Sequence, residues 1–226
     1  MRTDPFALKL KSKLNPVRIL GTLQIRMAEE RAKRHFDSYL IPQKVREVAA
    51  DSSDIGWEDT AVTPMQMSHL LAGVRDTEKF SDTVIVEIGS YRGVTTQRLA
   101  SQTARKFIAI DPFFNGYGGG DDDHAKFLKR TSSLPNVTHQ RKTSGAAFVE
   151  WNFGKVSFAF IDAVHDYANT AYDLEAWSSL TIPGGIIALH DTDNPIFAGT
   201  RRAAFEGLPN FDLYAHVENL VMLCKR

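Results

Sequence analysis

Apolar and polar positions divide the chain into two zones that meet near residue 80. In the first zone, residues 20–39 are rich in Ala, Glu, Arg and Met, and residues 64–74 form a short helical pattern with Thr63 placed as its cap. Residues 51–60, between these segments, are polar and predict a loop. The first zone is therefore predicted to be helical.

In the second zone, short apolar runs alternate with helix-forming segments. Strands are predicted at residues 84–88, 107–110, 137–140, 158–161 and 186–189, and helices at residues 94–104, 124–132, 145–151 and 169–180. This alternation predicts right-handed βαβ units and a parallel sheet. Residues 211–216 and 220–224 predict an antiparallel hairpin at the sheet edge. The predicted fold is α/β: a doubly wound, Rossmann-like sheet of five parallel strands plus a C-terminal antiparallel hairpin, with N-terminal helices.

The composition fits a globular protein with a sizeable core and narrows the class of partner. Of the 226 residues, 43% are hydrophobic, and Lys+Arg and Asp+Glu number 27 each, which argues against broad binding of nucleic acid. Cys224 is the only cysteine, so an internal disulfide is excluded and a reducing, cytoplasmic location is expected. Because no segment approaches the roughly 20 apolar residues of a membrane span, we expect no stable membrane insertion.

The most informative segment is Val-Ile-Val-Glu-Ile-Gly-Ser-Tyr-Arg-Gly at residues 84–93. Its apolar run predicts a strand that is buried on both faces. Gly89 and Gly93 follow, and a helical pattern begins at Val94. A strand, a glycine-containing turn and a helix form a loop whose backbone a ligand can approach closely. Glu87, inside the strand, is a buried carboxyl group that requires a partner.

Polar side chains also end three of the other predicted strands. Asp111 ends the second strand, Asp162 ends the fourth with His165 three residues later, and His190-Asp191 ends the fifth. In doubly wound sheets, ligands bind beyond the carboxyl ends of the strands. We therefore expect these side chains to face one crevice.

The same residues narrow the class of cofactor that the crevice could bind. An acid at the end of the second strand, as at Asp111, commonly accepts hydrogen bonds from the ribose hydroxyls of a cofactor. The segment from Gly89 to Gly93 lacks the middle glycine of the dinucleotide motif, and Tyr91 lies where a pyrophosphate needs bare backbone. The pattern therefore favours a nucleoside cofactor without phosphates, of which S-adenosylmethionine is one.

These motifs, with Phe-Ile-Asp-Ala-Val-His at residues 160–165 and Ile-Pro-Gly-Gly-Ile-Ile-Ala-Leu-His-Asp at residues 182–191, resemble the class I S-adenosylmethionine-dependent methyltransferases. The nearer likeness is to small metal-dependent O-methyltransferases, including the macrocin and mycinamicin sugar enzymes and the catechol type. The resemblance covers about residues 80–226. It implies that residues 81–226 form the catalytic domain. Residues 1–80 would be a helical extension that covers the acceptor or mediates oligomerisation, as in a homodimer.

The resemblance assigns roles along the cofactor. The methionine part would lie at the first glycine turn, the ribose would be held by Asp111, and the adenine would contact Ser144 after the third strand. The residues that it implies for cofactor binding are Glu87, Gly89, Ser90, Tyr91, Gly93, Asp111, Ser144 and Asp162.

The resemblance also implies the chemistry beside the cofactor. His165 would be the general base, because the family often places its base three residues after the first metal acid. Asp162, His190 and Asp191 would hold a divalent metal, Mg²⁺ or Mn²⁺. The family usually has two acid or amide ligands after the fifth strand, whereas this chain has His190 and then Asp191. Imidazole suits softer metals than Mg²⁺, so either the metal is softer or there is no metal and His190 is a second base.

The predicted function is O-methylation of a small hydroxylated acceptor, such as a sugar or a natural product. A nicotinamide-dependent oxidoreductase and a non-catalytic nucleoside-binding protein are the alternatives, and RNA methylation is disfavoured by the neutral charge. Residues 115–124 predict a lid beside the cofactor, with Asp122 or Asp123 as the N-cap of the next helix. Asp193 is either another metal ligand or a turn residue.

Overall fold

The computed structural model describes residues 16–114 and 119–226, with side chains from residue 21 onward. Within these residues the chain forms seven α-helices and seven strands in the alternating order that the pattern predicts. The helices are α1 (Pro16–Arg34), α2 (Pro64–Asp76), α3 (Val94–Ala100), α4 (Asp121–Thr131), α5 (Ser144–Val149), α6 (Tyr167–Leu180) and α7 (Ala198–Gly207). The strands are β1 (Val84–Ile88), β2 (Phe107–Ile110), β3 (Val137–Gln140), β4 (Val156–Ile161), β5 (Thr181–Leu189), β6 (Phe211–Val217) and β7 (Leu220–Lys225).

The strands form one sheet in the order β3-β2-β1-β4-β5-β7-β6. Strands β1 to β5 are parallel, and β7 pairs antiparallel with both β5 and β6, so the predicted fold class is confirmed. The chain order reverses between β1 and β4. At such a reversal the connections leave in opposite directions and open a crevice at the carboxyl ends of the strands.

Two apolar layers cover the sheet, one on each face. One layer joins Val86, Ile161 and Ile187 to Trp177 of α6 and Ala204 of α7. The other joins strand residues of the opposite face to α2, α3 and α4; its buried members include Met67, Leu70, Leu99, Phe127 and Phe158. The alternation of Cβ directions along each strand sends successive apolar side chains into the two layers, which explains why β1 and β4 are apolar at all but one position each.

Strand ends differ from prediction where local sequence signals are weak. Strand β4 begins at Val156, two residues earlier than predicted, and its register with β5 shifts between Val156 and Phe158. Strand β5 begins at Thr181 and includes Pro183, Gly184 and Gly185. A Pro-Gly-Gly sequence is typical of a turn, so the pattern placed the strand start at residue 186.

The helix ends confirm one predicted N-cap and contradict another. Helix α2 has the predicted Thr63 cap: the Thr63 hydroxyl accepts from the Gln66 N–H, and the Gln66 side chain accepts from the Thr63 N–H. Helix α4 instead begins at Asp121 and its N-cap is Gly120, so the prediction of Asp122 or Asp123 as N-cap is wrong. These acids lie in the first turn, where they interact favourably with the helix dipole.

The N-terminal zone packs onto the sheet region at several places. Helix α1 ends at Arg34, earlier than predicted, and a short 3-10 turn follows at Phe36–Ser38. The backbone of Lys44 pairs with that of His216 in β6. The domain division at residue 80 stays a prediction. Among the described residues, no helix is long and apolar enough to cross a membrane.

Candidate active site

A cavity of about 850 Å³ opens beyond the carboxyl ends of β1, β2, β4 and β5. Its walls include the β1–α3 turn, Asp111, Ser144, Asp162, His165 and Asp191. The structure therefore brings together polar strand ends that are far apart in the sequence. Among the predicted site residues, Glu87 and His190 are behind the walls of this cavity: only 1% of each residue is exposed.

Tight packing at the β1–α3 turn explains its glycines. Gly89 has φ +89°, and a Cβ there would lie 1.9 Å from the carbonyl oxygen of Asp162. Gly93 has φ +77°, and its Cβ would lie 2.9 Å from the Phe127 ring. Both positions thus favour glycine, because the backbone is left-handed and a Cβ would lie too close to a neighbouring atom. Their backbone also lines the cavity, so the turn can approach a ligand as predicted.

Three of the four described non-glycine residues with positive φ follow strands at the cavity: Tyr91, Phe113 and Asp191. This conformation is costly for residues with a Cβ and clusters at binding and catalytic sites. The strain at Tyr91 is offset by a hydrogen bond, because its N–H donates to the Asp111 carboxylate.

Asp111 is held rigidly at the end of β2. One carboxylate oxygen accepts from the Tyr91 N–H at 2.9 Å, and the other accepts from the Phe113 N–H at 2.8 Å. Each carboxylate oxygen can accept a second hydrogen bond. The carboxylate is therefore oriented at the cavity wall with acceptor capacity left for a pair of hydroxyl groups, which suits the predicted ribose contact.

The carboxyl group of Glu87 is buried and forms a hydrogen bond within the protein. Its carboxyl group accepts from the Thr96 hydroxyl of α3. Burial raises the pKa of Glu87 to about 8, although the Thr96 hydrogen bond acts in the opposite direction. The neutral acid is thus favoured near neutral pH. Its predicted contact with the cofactor stays a prediction.

Ser144 belongs to a hydrogen-bonded chain at the far end of the cavity. The Ser144 hydroxyl donates to the Asp173 carboxyl group and accepts from the Trp177 indole N–H at 2.8 Å. Burial raises the pKa of Asp173 to about 6. Because its single proton is used, Ser144 can only accept from a ligand here. Sequence reasoning missed Asp173, which also lines the cavity and lies in the middle of a helix without a motif.

Asp162, His165 and Asp191 form a cluster at the cavity wall. The Nε2 atom of His165 lies 3.4 Å from Asp191 Oδ2 and 3.9 Å from Asp162 Oδ1. The His165 ring packs on Phe197, with 4.6 Å between the ring centroids. Its side chain keeps 25% of its surface exposed, so a ligand can reach it. This arrangement can remove a proton from a ligand, because the two carboxylates would stabilise the imidazolium.

His190 lies behind this cluster. Its Nδ1 is 3.3 Å from Asp162 Oδ1 and 3.6 Å from Asp191 Oδ2, and its Nε2 is 3.1 Å from Gln66 Oε1. Burial opposes the charged form, but the two carboxylates raise the pKa of His190 to about 10. Burial likewise opposes ionisation of Asp162, and the charged His190 outweighs it and lowers the pKa of that carboxyl. His190 is therefore placed beside Asp162 and Asp191 where its charged form is favoured.

The described cluster whose side chains could hold a metal ion contains His165, with Asp162 and Asp191. Their candidate ligand atoms all lie within 4.8 Å of one another, which is close enough to converge on one ion. Two carboxylate oxygens and one imidazole suit a divalent ion such as Mn²⁺. The predicted set named His190 instead of His165, and its ligand role stays a prediction. Asp193 is engaged elsewhere, with Arg201 and His216.

The N-terminal zone also contributes to the cavity, through Asp59, Thr60 and Ala61. Asp59 accepts from Arg92 at 2.5 Å and from Arg130 at 2.9 Å, so this segment is fastened to α4 and to the glycine turn. Sequence reasoning did not find this contribution, because a polar loop carries no pattern that predicts its neighbours. The proposed lid overlaps residues 115–118, which lie outside the described residues.

Comparison with solved structures supports the fold. The O-methyltransferase of Bacillus cereus, determined with S-adenosylhomocysteine, is similar over 88% of this chain and 91% of that chain, with 17% identity and a TM-score of 0.55. The O-methyltransferase TomG of Streptomyces achromogenes, determined with S-adenosylmethionine, has 12% identity, coverages of 88% and 90%, and a TM-score of 0.57. An rRNA methylase of Streptococcus thermophilus has 20% identity, coverages of 74% and 98%, and a TM-score of 0.51. At these identities the likeness shows the fold alone.

A protein-family model described as a methyltransferase domain matches residues 86–192, which span β1 to the segment after β5. No curated protein sequence matches the chain. The family match and the fold support the predicted class of enzyme, an S-adenosylmethionine-dependent methyltransferase. The S-adenosylhomocysteine and S-adenosylmethionine in two of these structures agree with the cofactor expected from the glycine turn and Asp111, whose contacts with it stay a prediction.

Proposed function

We propose that the protein transfers the methyl group of S-adenosylmethionine to a hydroxyl oxygen of a small molecule, a sugar or a natural product, with His165 as the general base. The observation that carries this proposal is the position of His165. Its Nε2 faces two carboxylates in the same cavity that Asp111 and the glycine turn line. A base and a cofactor site in one cavity are what O-methylation requires.

The proposed step is an in-line displacement. The acceptor oxygen forms a bond to the methyl carbon while the carbon–sulfur bond breaks, and the electron pair stays on sulfur to give S-adenosylhomocysteine. The hydroxyl proton passes to the imidazole of His165, which becomes the imidazolium. Asp162 and Asp191 stabilise the imidazolium, and the Phe197 ring fixes the plane of the imidazole. General-base assistance of this kind typically contributes about 10²–10⁴-fold to the rate.

Metal assistance is the further part of the proposal. Asp162, Asp191 and His165 would hold a divalent ion, since their ligand atoms are close together. When bound, such an ion would lower the pKa of a coordinated hydroxyl. His165 cannot be a ligand and the base through the same nitrogen. The proposal therefore has two forms, one with His165 as a free base and one with His165 on the metal.

Calorimetry with S-adenosylhomocysteine and with NAD tests the cofactor, and methyl transfer to a panel of hydroxylated acceptors tests the reaction. We expect S-adenosylhomocysteine to bind more tightly, and His165→Ala to lower kcat about 10²–10⁴-fold on the acceptor that wild type uses. The exposed His35 provides the matched control, His35→Ala, which should keep wild-type kcat. Full activity of the His165→Ala protein would exclude His165 as base, and tighter binding of NAD would exclude the reaction class.

A further inference from the structure

Glu29 of α1 contacts the amino-terminal ends of two helices at once. Its Oε2 accepts from the Tyr167 N–H and its Oε1 accepts from the Gly199 N–H, each at 3.1 Å. Tyr167 is the first residue of α6, and Gly199 is the second residue of α7. These contacts join positions 138 and 170 residues apart in the chain.

Both amide groups need an acceptor. The first N–H groups of an α-helix have no partner within the helix, and they lie at the positive end of its dipole. Helix α7 has Phe197 at its N-cap, which provides no side-chain acceptor. In α6 the N-cap Asp166 accepts from Asn169, which leaves the Tyr167 N–H for Glu29. One carboxylate therefore completes the ends of both helices.

The two helix ends follow the two loops that form the active-site cluster. Tyr167 comes two residues after His165, and Gly199 comes two residues after Phe197, whose ring packs on His165. Asp191 lies on the same β5–α7 connection as Phe197. The distance of 3.4 Å between His165 and Asp191 thus spans the same two loops that Glu29 joins.

Gly199 shows that this junction is closely packed. A Cβ at Gly199 would lie 2.1 Å from the Tyr167 nitrogen and 2.2 Å from Glu29 Oε2. Glycine inside a helix costs about 1 kcal/mol relative to alanine. Here only glycine permits the two helix ends and the carboxylate to meet. The junction also fixes α1, whose Ala28 carbonyl accepts from Arg202 and whose Ala32 is fully buried.

We propose that Glu29 is a positioning residue for methyl transfer: by joining the ends of α6 and α7, it holds His165 opposite Asp191. This inference rests on the proposed role of His165. A misplacement of about 1 Å in a catalytic group can cost about 100-fold in rate. The cofactor contacts of β1 and β2 lie on other connections, so they should be independent of Glu29.

The test compares Glu29→Gln with Glu30→Gln. A glutamine keeps the size of the side chain but has one acceptor oxygen, and its NH₂ group would face an N–H donor. Glu30 is the neighbouring residue, with a side chain 67% exposed and a surface ion pair to Lys33. We expect Glu29→Gln to lower kcat about 10- to 100-fold, with KM for S-adenosylmethionine and the Kd of S-adenosylhomocysteine within about twofold of wild type. Glu30→Gln should match wild type.

A second readout does not need turnover. The ring ¹⁵N signals of His165, assigned by their loss in His165→Ala, should shift in Glu29→Gln and stay unchanged in Glu30→Gln. Absence of methyl transfer by wild type would contradict the proposed function, and the ring signals would still test Glu29. Unchanged kcat and unchanged signals would overturn the inference, as would a parallel loss of cofactor affinity. If Glu29→Gln does not fold, Glu29→Asp takes its place, because the aspartate side chain is too short to reach both amides. The same loss of kcat and the same shift of the His165 ring signals are expected.

Discussion

Glu87 shows how a single residue can be identified from the sequence while its environment stays hidden. The β1 pattern predicts a buried carboxyl group that needs a partner, and the structure provides Thr96 from α3. Thr96 has no distinguishing signal in the sequence, because its approach depends on how α3 packs against the sheet. The result is a carboxyl group with a pKa of about 8 in the folded protein.

This pKa predicts a pH dependence of stability. Burial raises the pKa of Glu87 from 4.5 to about 8, so between these values the native state holds a proton that the unfolded chain has released. The contribution of Glu87 to stability therefore falls as pH rises through this window. Glu87→Gln should remove this term and make the protein more stable than wild type at pH 8 and above, by on the order of 4 kcal/mol.

Urea unfolding of wild type, Glu87→Gln and the exposed-site control Glu30→Gln from pH 5 to pH 9 measures this difference. The control should follow the wild-type curve. Parallel curves for wild type and Glu87→Gln would show that the Glu87 carboxyl is not stabilised in its neutral form.

His165 and His190 are two residues that the sequence does not distinguish and the structure does. His165 and His190 both follow a strand by a short distance, and the sequence gives each a role in catalysis. The structure separates them by burial: the His165 side chain is 25% exposed, whereas that of His190 is fully buried behind the two carboxylates. Burial depends on which elements pack above each strand end, so sequence spacing cannot tell that a ligand can reach His165 and not His190.

At the scale of elements, the β1–α3 turn is both a packing contact and a wall of the cavity. Strand β1 and the start of the β4–α6 loop meet there, since the Asp162 N–H donates to the Ile88 carbonyl at 2.8 Å. Gly89 permits this approach with φ +89°. Gly154 provides a comparison: it has φ +98°, and nothing lies within 4 Å of a Cβ built on it.

Alanine at these two glycines should separate backbone strain from steric contact. Gly154→Ala should lower the free energy of unfolding by about 1–2 kcal/mol, the cost of a Cβ at positive φ. Gly89→Ala should cost about 2–5 kcal/mol, because the Asp162 carbonyl must also move, and should weaken S-adenosylhomocysteine binding at least about tenfold. Chemical unfolding and calorimetry measure both. Equal costs for the two variants would contradict the contact at Gly89.

The elements themselves were largely predictable, and the exceptions have physical reasons. The apolar runs of β1 and β2 gave their bounds as observed, because burial of a parallel strand on both faces requires such runs. The bounds of the half-buried edge strand β3 also match the prediction. The start of β5 was not predictable, since the strand pairs with β4 at Thr181 and again from Ile186 onward, with an irregular segment between them where Gly184 has φ +77°. Local preference correctly marks a turn-like segment there, but only the pairing on both sides of it shows that the strand begins earlier.

At the scale of the whole molecule, residues before β1 complete the catalytic cavity. Asp59, Thr60 and Ala61 line it, Gln66 of α2 contacts His190, and Glu29 of α1 joins the helices beyond the cluster. The active site is therefore built from both sequence zones.

The metal form of the proposal has a consequence for the stability of the whole molecule. An ion that binds only the native state, at a free concentration of about 100 times its Kd, adds about 2.7 kcal/mol to the free energy of unfolding. After EDTA treatment and dialysis, we expect Mn²⁺ or Mg²⁺ to raise the Tm of wild type and of Asp121→Asn, whose side chain is 83% exposed. Asp191→Asn should lose this response. Scanning calorimetry measures it, and an unchanged wild-type Tm, with full activity in EDTA, would leave His165 as a free base.

The sequence by itself determined the order of elements, the parallel sheet and the residues at the strand ends, because strand burial, glycine turns and polar termini are local signals. Only the tertiary structure decided which residues meet. It paired Asp111 with the Tyr91 backbone, buried His190 beside Asp162 and Asp191, and brought Glu29 to two helix ends. These contacts join segments up to 170 residues apart in the chain. They arise from the packing of helices on the sheet, which no local pattern encodes.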